Sequence, residues 1–524
     1  DFALLFEALR YRKNLDDLKI LIFIDDCLQS GENIDTVIAE KEAFININLL
    51  LNLVKTIKRA GNKIKIFIFT KNVNGLNSGN ISITAAPVWG IFRTMINETP
   101  EIAGGIIDLP VTGMKNIDDR IVEILKSEVC ARQIIINEQN EILTPSIEKI
   151  DNLMMPKKDI YIYPDATYLI TGGYGAIGKS ITRWLVELGA KNIVLLGRTG
   201  ASATDKIFIE KFYNQGVNIK VESGDVSNPE DIKLLMERIN NDMPELRGIF
   251  HTAGVLQDAI LLNQTEMHFR NVMNPKFLGS INLYNTFMKK KLDFIILFSS
   301  FSSIIGSQGQ ANYAAANMCL NSFAGYMKQK NINAYSISWG PWLGGGMADG
   351  SQDRISNIRQ MGLKGFKPND GLQILSKIIT FDDYSPIAVD CDWQQVAKKT
   401  NSSMNYLFSN FVKQEKSEEK IENESEKIED ISKIYKMLGN TEFEKKEHLK
   451  NYILSAAAEI MEQKDQSCIS LDTSLIEMGF DSLMLVNLMN KLSECFSMEM
   501  TIAVFYEFET VNKLTDYFFI KLNK

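Results

Sequence analysis

A chain of 524 residues is too long for one ordinary hydrophobic core and implies about three domains. Its 45% apolar and 23% charged residues are those of a soluble globular protein. The net charge of -8 argues against nucleic acid as the main partner, because phosphate binding needs a basic footprint.

The six cysteines (Cys27, Cys130, Cys319, Cys391, Cys468 and Cys495) lie far apart, with no C-x-x-C pair. That is neither a disulfide framework nor a zinc site, and a reducing, cytoplasmic setting is expected. The three histidines, His251, His268 and His448, leave little room for a histidine metal site or a serine-hydrolase triad. No apolar run reaches the ~18 residues of a membrane span. The sequence opens mid-pattern at Asp1, as a piece of something longer would.

Residues 1–157 alternate short apolar runs with helical spacing. KILIFID (19–25), KIKIFIFT (63–70), GGIIDLP (104–110) and RQIIIN (132–137) suit buried parallel strands. EAFININLLLNLVKTIKRAG and PVWGIFRTMINETP carry helical periodicity. The rhythm is Rossmann-like. Where a phosphate loop would follow the first strand, however, the chain reads DDCLQSGEN, and Asp25 and Asp26 would repel a pyrophosphate. This half is expected to be a scaffold that binds no cofactor.

Residues 158–405 repeat the rhythm with different chemistry. YLITGGYGAIG (168–178) passes from a strand through glycines into a helix, and Gly173, Gly175 and Gly178 give the G-x-G-x-x-G spacing. That setting lets a backbone approach a pyrophosphate at a helix N-terminus. Further strands are expected at NIVLLG (192–197), IKVESGD (219–225), RGIFHTAG (247–254), FIILFSS (294–300), AYSISWG (334–340) and PIAVDCDW (386–393). The fold class is therefore α/β with a doubly wound parallel sheet. Arg198 and Thr199 stand at the end of the second strand, where an NAD enzyme would place an acid. A guanidinium suits a 2′-phosphate, so NADPH is expected, with a solvated surface arginine as the alternative. Asp225 ends the third strand, where it could accept from an adenine amino group or cap the next helix.

Ser299 and Ser300 finish an apolar strand at the carboxyl edge, where doubly wound folds bind ligands. Tyr313 follows in QGQANYAAANMCLNSFAGYM, a stretch with helical character, and Asn317 lies on the same helical face. Each could be core. A tyrosine, a strand-end serine and a nearby lysine behind a nucleotide loop make sense together as a carbonyl-reduction site.

Residues 406–444 contain KQEKSEEKIENESEKIEDISK, nearly all charge and serine, and read as a flexible tether. Residues 445–524 form a small all-α unit. EHLKNYILSAAAEIMEQ is amphipathic, and Leu485, Leu488, Met489 and Leu492 fit one helical face. VNKLTDYFFIKL closes the bundle. Ser482, after Asp481, opens the second helix either as an N-cap or as the point where an anionic group is held.

Residues 1–400 resemble the ketoreductase domain of a modular polyketide synthase, a member of the short-chain dehydrogenase/reductase superfamily. The resembling blocks run in order: PVWGIFRTMINETPEIAGGIIDLP, TGGYGAIG, LLGRTG, GDVSNPED, HTAGVLQDA, NPKFLGSINL, FSSFSSIIGSQGQANYAAAN and SISWGPW. GFDSL (479–483) resembles the phosphopantetheine attachment motif of acyl carrier proteins. The resemblance implies two Rossmann-like halves, a truncated structural subdomain and a catalytic one, followed by a four-helix carrier domain.

By position, it implies Tyr313 as proton donor and Ser300 as the group that holds the substrate carbonyl. Lys276 and Asn317 complete the tetrad, exchanged relative to the wider superfamily. The expected cofactor contacts are Thr171, Gly173, Tyr174, Gly175, Ala176, Ile177, Gly178, Arg198, Thr199, Asp225, Val226, His251, Ala253 and Gly254. A 4′-phosphopantetheine is expected on Ser482, and no metal.

Ketoreductases that give the D- (3R-) alcohol resemble one another in an LDD motif. Leu256-Gln257-Asp258 keeps the diagnostic Asp258 and departs at Gln257. The opposite class carries a tryptophan where Ile305 stands. A D-alcohol is therefore expected, with WGPWLGGGMADG (339–350) as a mobile lid. The expected partners are an acyl thioester on the carrier, a ketosynthase, an acyltransferase and a phosphopantetheinyl transferase. Two other readings stay open: an α-keto reductase in a hybrid peptide synthetase, and a silent reductase beside a working carrier.

Overall fold

The computed structural model describes residues 18–24, 33–112, 117–126, 132–150, 161–344, 352–380, 385–412, 442–461, 469–480, 482–496, 498 and 503–522. They divide into two compact units, one ending at Val412 and the other formed chiefly by the residues after it.

The first unit begins with β1 (Lys19–Phe23), α1 (Thr36–Arg59), β2 (Lys65–Lys71), α2 (Ala86–Glu98), β3 (Ala103–Leu109), α3 (Ile117–Lys126), β4 (Arg132–Ile136) and β5 (Ile142–Leu143). Strands β1 to β4 pair in parallel in chain order, and β5 returns antiparallel onto β4. The period-2 alternation of β2 divides its side chains between two layers. Ile66 and Ile68 join the core built with α1 and α2, while Phe67 and Phe69 pack with Ile124 of α3. The Asp35 carboxylate caps α1 by accepting from the Val37 and Ile38 N–H groups.

A second sheet follows. Its elements are β6 (Thr167–Thr171), α4 (Ala176–Glu187), β7 (Asn192–Gly197), α5 (Ala203–Tyr213), β8 (Asn218–Ser223), α6 (Pro229–Asp242), β9 (Leu246–His251), α7 (Glu266–Phe287), β10 (Phe294–Ser300), the short α8 (Ser302–Ile305), α9 (Ala311–Gln329) and β11 (Ala334–Trp339). After it come α10 (Gln352–Gln360), β12 (Leu363–Lys364), α11 (Pro368–Ile378), β13 (Ile387–Ala388), β14 (Asp390–Cys391) and α12 (Trp393–Lys399). The sheet order is β13-β11-β10-β9-β6-β7-β8, all parallel. The chain builds outward from β6 to β8 and then crosses back to β9. That reversal opens a crevice between the carboxyl ends of β6 and β9.

Two expectations need correction, and one strand was not predicted. PIAVDCDW is two short strands, because Ile387–Ala388 pairs with β11 while Asp390–Cys391 turns to pair antiparallel with β12. The hairpin strand β5 is too short and too exposed to show a pattern, and Asn140, at φ 61, makes its turn. The tether does not begin at 406. Leu407 and Phe408 are buried, and the Phe411 ring stacks on Trp393 at 4.4 Å, so 406–412 belongs to the first unit. The charged run after it and residues 345–350 of the expected lid lie outside the described residues.

Both sheets share one core. Every residue of α2 except Asn97 is buried, and Gly90 lets the α9 backbone at Ala314 and Ala315 come directly against it. The second unit holds four helices among its described residues: α13 (Glu442–Ile460), α14 (Ser482–Phe496), α15 (Ala503–Glu507) and α16 (Val511–Leu522). Leu485, Leu488, Met489 and Leu492 form the buried face of α14, as their spacing requires, and Phe496 meets Phe518 at 5.1 Å. Among the described residues, no helix is long and apolar enough to cross a membrane.

Candidate active site

A cavity of about 300 Å³ occupies the crevice where the second sheet reverses. Thr171 and Gly172 leave β6 with Gly172 at φ +66, a left-handed turn that glycine makes without strain. Gly178, in the first turn of α4, lies so close to that turn that a Cβ would stand 2.7 Å from the Gly172 carbonyl oxygen. No side chain caps α4, and its leading residues border the cavity. Free N–H groups at such a helix end attract a phosphate.

Of the expected cofactor contacts, Thr171, Tyr174, Gly175, Ala176, Ile177, Gly178, Arg198, Asp225, Val226, Ala253 and Gly254 border this cavity. Arg198 is exposed at its rim and forms no ion pair among the described residues. Asp225 makes a local turn, its carboxylate accepting from the Ser227 N–H and hydroxyl, while Asn228 caps α6. The Tyr174 hydroxyl donates to the Leu195 and Glu222 carbonyl oxygens and holds β7 and β8 beside the glycine turn. Glycine cradle and helix end together fit the pyrophosphate of a dinucleotide.

Gly173, Thr199 and His251 do not border the cavity, against expectation. Gly173 is pressed under β7, where a Cβ would meet Leu195 at 2.9 Å, and Thr199 is exposed beyond the rim. His251, the last residue of β9, is fully buried beside Thr171. Its Nδ1 pairs with Thr171 Oγ1 at 2.7 Å, and its Nε2 lies 3.4 Å from the Lys276 carbonyl oxygen. Burial, with the nearby Lys276, pushes its pKa down to about 3, so it is neutral and acts as a strut.

The second cluster lies on β10, α7 and α9. Within Ala311–Met327 every residue is buried apart from Tyr313, which is half-buried. Lys276 stands with Nζ 5.7 Å from the centre of the Tyr313 ring and donates to the Phe298 carbonyl oxygen at 2.8 Å. Only 3% of it is exposed, and burial pushes its pKa down to about 7. Pro275, inside α7, cannot supply the helical N–H one residue before Lys276.

Asn317 Nδ2 donates to the Tyr313 carbonyl oxygen at 2.8 Å, whereas its buried Oδ1 has no partner among the described residues. The Ser299 hydroxyl donates to the Asn317 carbonyl oxygen, so that serine ties β10 to α9. Ser300 ends β10. Its Oγ accepts from the Ser302 N–H at 3.3 Å and from the Ser302 hydroxyl at 3.0 Å. Asp258 is exposed on the loop after β9, outside the cavity. Ser482 is the first residue of α14.

Residues 166–344 match the KR domain family, and 451–518 match the phosphopantetheine attachment site family. The chain thus carries a KR domain followed by a phosphopantetheine-binding carrier domain, and its relatives are polyketide synthases. Similar relatives bear this out. A 6-methylsalicylic acid synthase of Arthrobotrys oligospora is 26% identical over 83% of this chain and 25% of its own length. The polyketide synthase GfsA of Streptomyces halstedii is 27% identical over 90% of this chain and 6% of its own length. The chain thus spans a quarter or less of these curated relatives.

Among solved structures, an A-type ketoreductase from a modular polyketide synthase is 26% identical, with a TM-score of 0.64 over 70% of this chain and 77% of that one. The first ketoreductase of the tylosin synthase is 25% identical, with a TM-score of 0.62 over 77% and 83%. A ketoreductase domain implies a nicotinamide cofactor, which the crevice fits.

Sequence reasoning missed several residues of this ketoreductase. Gly172, Thr252, Val255 and Pro275 border the cavity, and their signal lay in the blocks TGGYGAIG, HTAGVLQDA and NPKFLGSINL. Glu98, Gln264 and Asn312 surround the loops beside Tyr313. Only Asn312, adjacent to the tyrosine, could have been suspected.

Proposed function

We propose that this chain reduces a β-ketoacyl group, held as a thioester on phosphopantetheine at Ser482, to the β-hydroxyacyl thioester with NADPH. The observation that carries the reading is Tyr313. It is the one residue that the buried stretch of α9 leaves partly open, and a buried amine stands beside its ring.

When bound, the nicotinamide supplies the hydride. The chain's own residues hold the carbonyl and deliver the proton. Ser300 Oγ accepts two hydrogen bonds, which leaves its own hydrogen free to donate to the substrate oxygen. Tyr313 donates its phenolic proton to the oxygen as negative charge develops there. A protonated Lys276 beside the ring stabilises the phenolate left behind, and the Phe298 carbonyl fixes that amine. Asn317 holds the first turn of α9 through the Tyr313 carbonyl. The proton lost from Tyr313 returns from solvent, so each turnover consumes one hydride and one proton.

Arg198, at the rim and without an ion-pair partner among the described residues, supports NADPH over NADH. Asp258 on the loop after β9 supports the D-alcohol. The substrate would come from condensing partners, a ketosynthase and an acyltransferase, and a phosphopantetheinyl transferase would prime Ser482.

Mass spectrometry of the arm on Ser482 tests the reading. The carrier is loaded with a β-ketoacyl group and incubated with NADPH, beside a Tyr313→Phe control. A gain of two hydrogen atoms in the wild type alone is the expected result. A primed, loaded arm that gains none would overturn the β-keto assignment.

A further inference from the structure

Glu98 is the last residue of α2, in the half that the sequence marks as a scaffold, and it is 4% exposed. It forms no ion pair among the described residues, and burial pushes its pKa up to about 7. A carboxylate at a helix C-terminus also opposes the helix dipole. Such a group is unfavourable on both counts and persists where a specific pairing needs it.

Its two oxygens serve two different loops of the second sheet. Oε2 accepts from the Leu261 N–H at 2.6 Å, in the connection between β9 and α7. Oε1 accepts from the Gly309 N–H at 2.8 Å, in the turn that carries the chain from Ser300 to Tyr313. Gly309 has φ +76, a turn that glycine makes without strain and that aims its N–H at the carboxylate.

From that junction a buried amide pair leads to the tyrosine. The Gln264 side chain donates to Asn312 Oδ1 and accepts from the Asn312 N–H, both at 3.2 Å. Asn312 Oδ1 accepts from the Tyr313 N–H at 2.8 Å. Asn312 Nδ2 donates to the Gln257 carbonyl oxygen at 2.8 Å and to that of His268 at 3.1 Å. The loop that bears Gln257 and the first turn of the tyrosine helix are thus joined to each other, and Glu98 joins both to α2.

We propose that Glu98 is a positioning residue for the reduction: its carboxylate clamps the Leu261 and Gly309 loops together and so fixes the approach of substrate to Ser300 and Tyr313. The proposal rests on the reductase reading above. An amide in its place can accept from one of the two N–H groups but turns its own NH2 against the other. A one-carbon-shorter carboxylate cannot span both.

The test uses the full chain as wild type, Glu98→Gln and Glu98→Asp. Each is assayed with NADPH and a diffusible probe, the N-acetylcysteamine thioester of a β-ketoacid. The rate, the NADPH dissociation constant and the enantiomeric ratio of the alcohol are measured. Misplacement of reacting groups predicts a kcat loss of about tenfold or more and an eroded enantiomeric ratio, with NADPH affinity held within about twofold. A purely structural role would lower the fraction of active sites but leave kcat per NADPH-binding site and the enantiomeric ratio unchanged. That outcome overturns the proposal. So does a folded variant with wild-type kcat and ratio, or failure of both variants to fold. A wild type that binds NADPH and reduces nothing would instead sink the reductase reading, and with it the premise of the clamp.

Discussion

Replacing Gly90 by alanine is expected to loosen the contact between α2 and α9 and to lower both stability and turnover. A Cβ there would stand 2.5 Å from the Ala314 carbonyl oxygen and 2.5 Å from the Ala315 nitrogen, whereas ordinary contact begins at 3.4 Å. Those atoms belong to the main chain of α9, which cannot turn aside as a flexible side chain would. The two helices must separate by about 1 Å at that point. Overpacking an interior by one methyl costs about 1–3 kcal/mol, and strain borne by two backbones belongs near 3 kcal/mol. For a folded unit of roughly 400 residues, at about 2.1 cal/mol/K per residue, that is a fall of about 3–4 °C in Tm. The separation would also stretch the hydrogen bonds of Asn97 to Ile305 and of Glu98 to Gly309, so kcat falls with stability. Scanning calorimetry and steady-state reduction rates measure the two effects. A Tm within about 1 °C of wild type with unchanged kcat would refute the close-packing argument.

Three further outcomes follow from charge. Lys276 titrates at about 7 in the fold against 10.5 when free, so its cation beside Tyr313 is lost as pH rises past neutrality. The reduction rate is expected to fall above about pH 7, and a Lys276→Met variant should lose that pH limb along with about 100-fold or more in rate. Between about 7 and 10.5 the unfolded amine holds a proton that the folded one has released. Stability from this group therefore rises with pH across that window, and urea midpoints of wild type against Lys276→Met report it. Arg198→Glu is expected to lower kcat/KM for NADPH by about tenfold or more while sparing NADH, measured by steady-state kinetics with each cofactor. Equal losses with both cofactors would remove Arg198 from phosphate recognition.

Much of the second sheet was legible because its inner strands are buried on both faces and read as continuous apolar runs. NIVLLG and FIILFSS coincide with β7 and β10 residue for residue. The misses have local causes. A two-residue strand such as β5 has no period to detect, and PIAVDCDW joins two strands that pair with different partners. The glycine turn and Tyr313 were visible because their chemistry is written in short motifs. His251 misled because a strand-end residue can face either the crevice or the helix behind, and here it faces the Lys276 carbonyl. Glu98 and Gln264 were invisible because their partners, Gly309 and Asn312, are brought to them only by tertiary packing.

Strand order explains why the second sheet carries the crevice. The second sheet reverses at β6, whereas β1 to β4 follow one another without reversal, and a switch-point crevice needs that reversal. The first sheet instead reaches the site through one face of α2, at positions spaced three or four apart. Gly90 admits the α9 backbone, Thr94 accepts from the Ser307 N–H, and Asn97 donates to the Ile305 carbonyl oxygen. Arg93, fully buried with its pKa pushed down to about 10 by that burial, donates to the Ser303 carbonyl oxygen and to Gln133. A guanidinium without a carboxylate partner is costly to bury unless its donors meet fixed acceptors, and this one meets the helical turn that follows Ser300. The segment from Ser300 to Tyr313 is therefore held from behind at four successive points by α2. A scaffold half that only filled space would not need a buried cation and a buried carboxylate on that face.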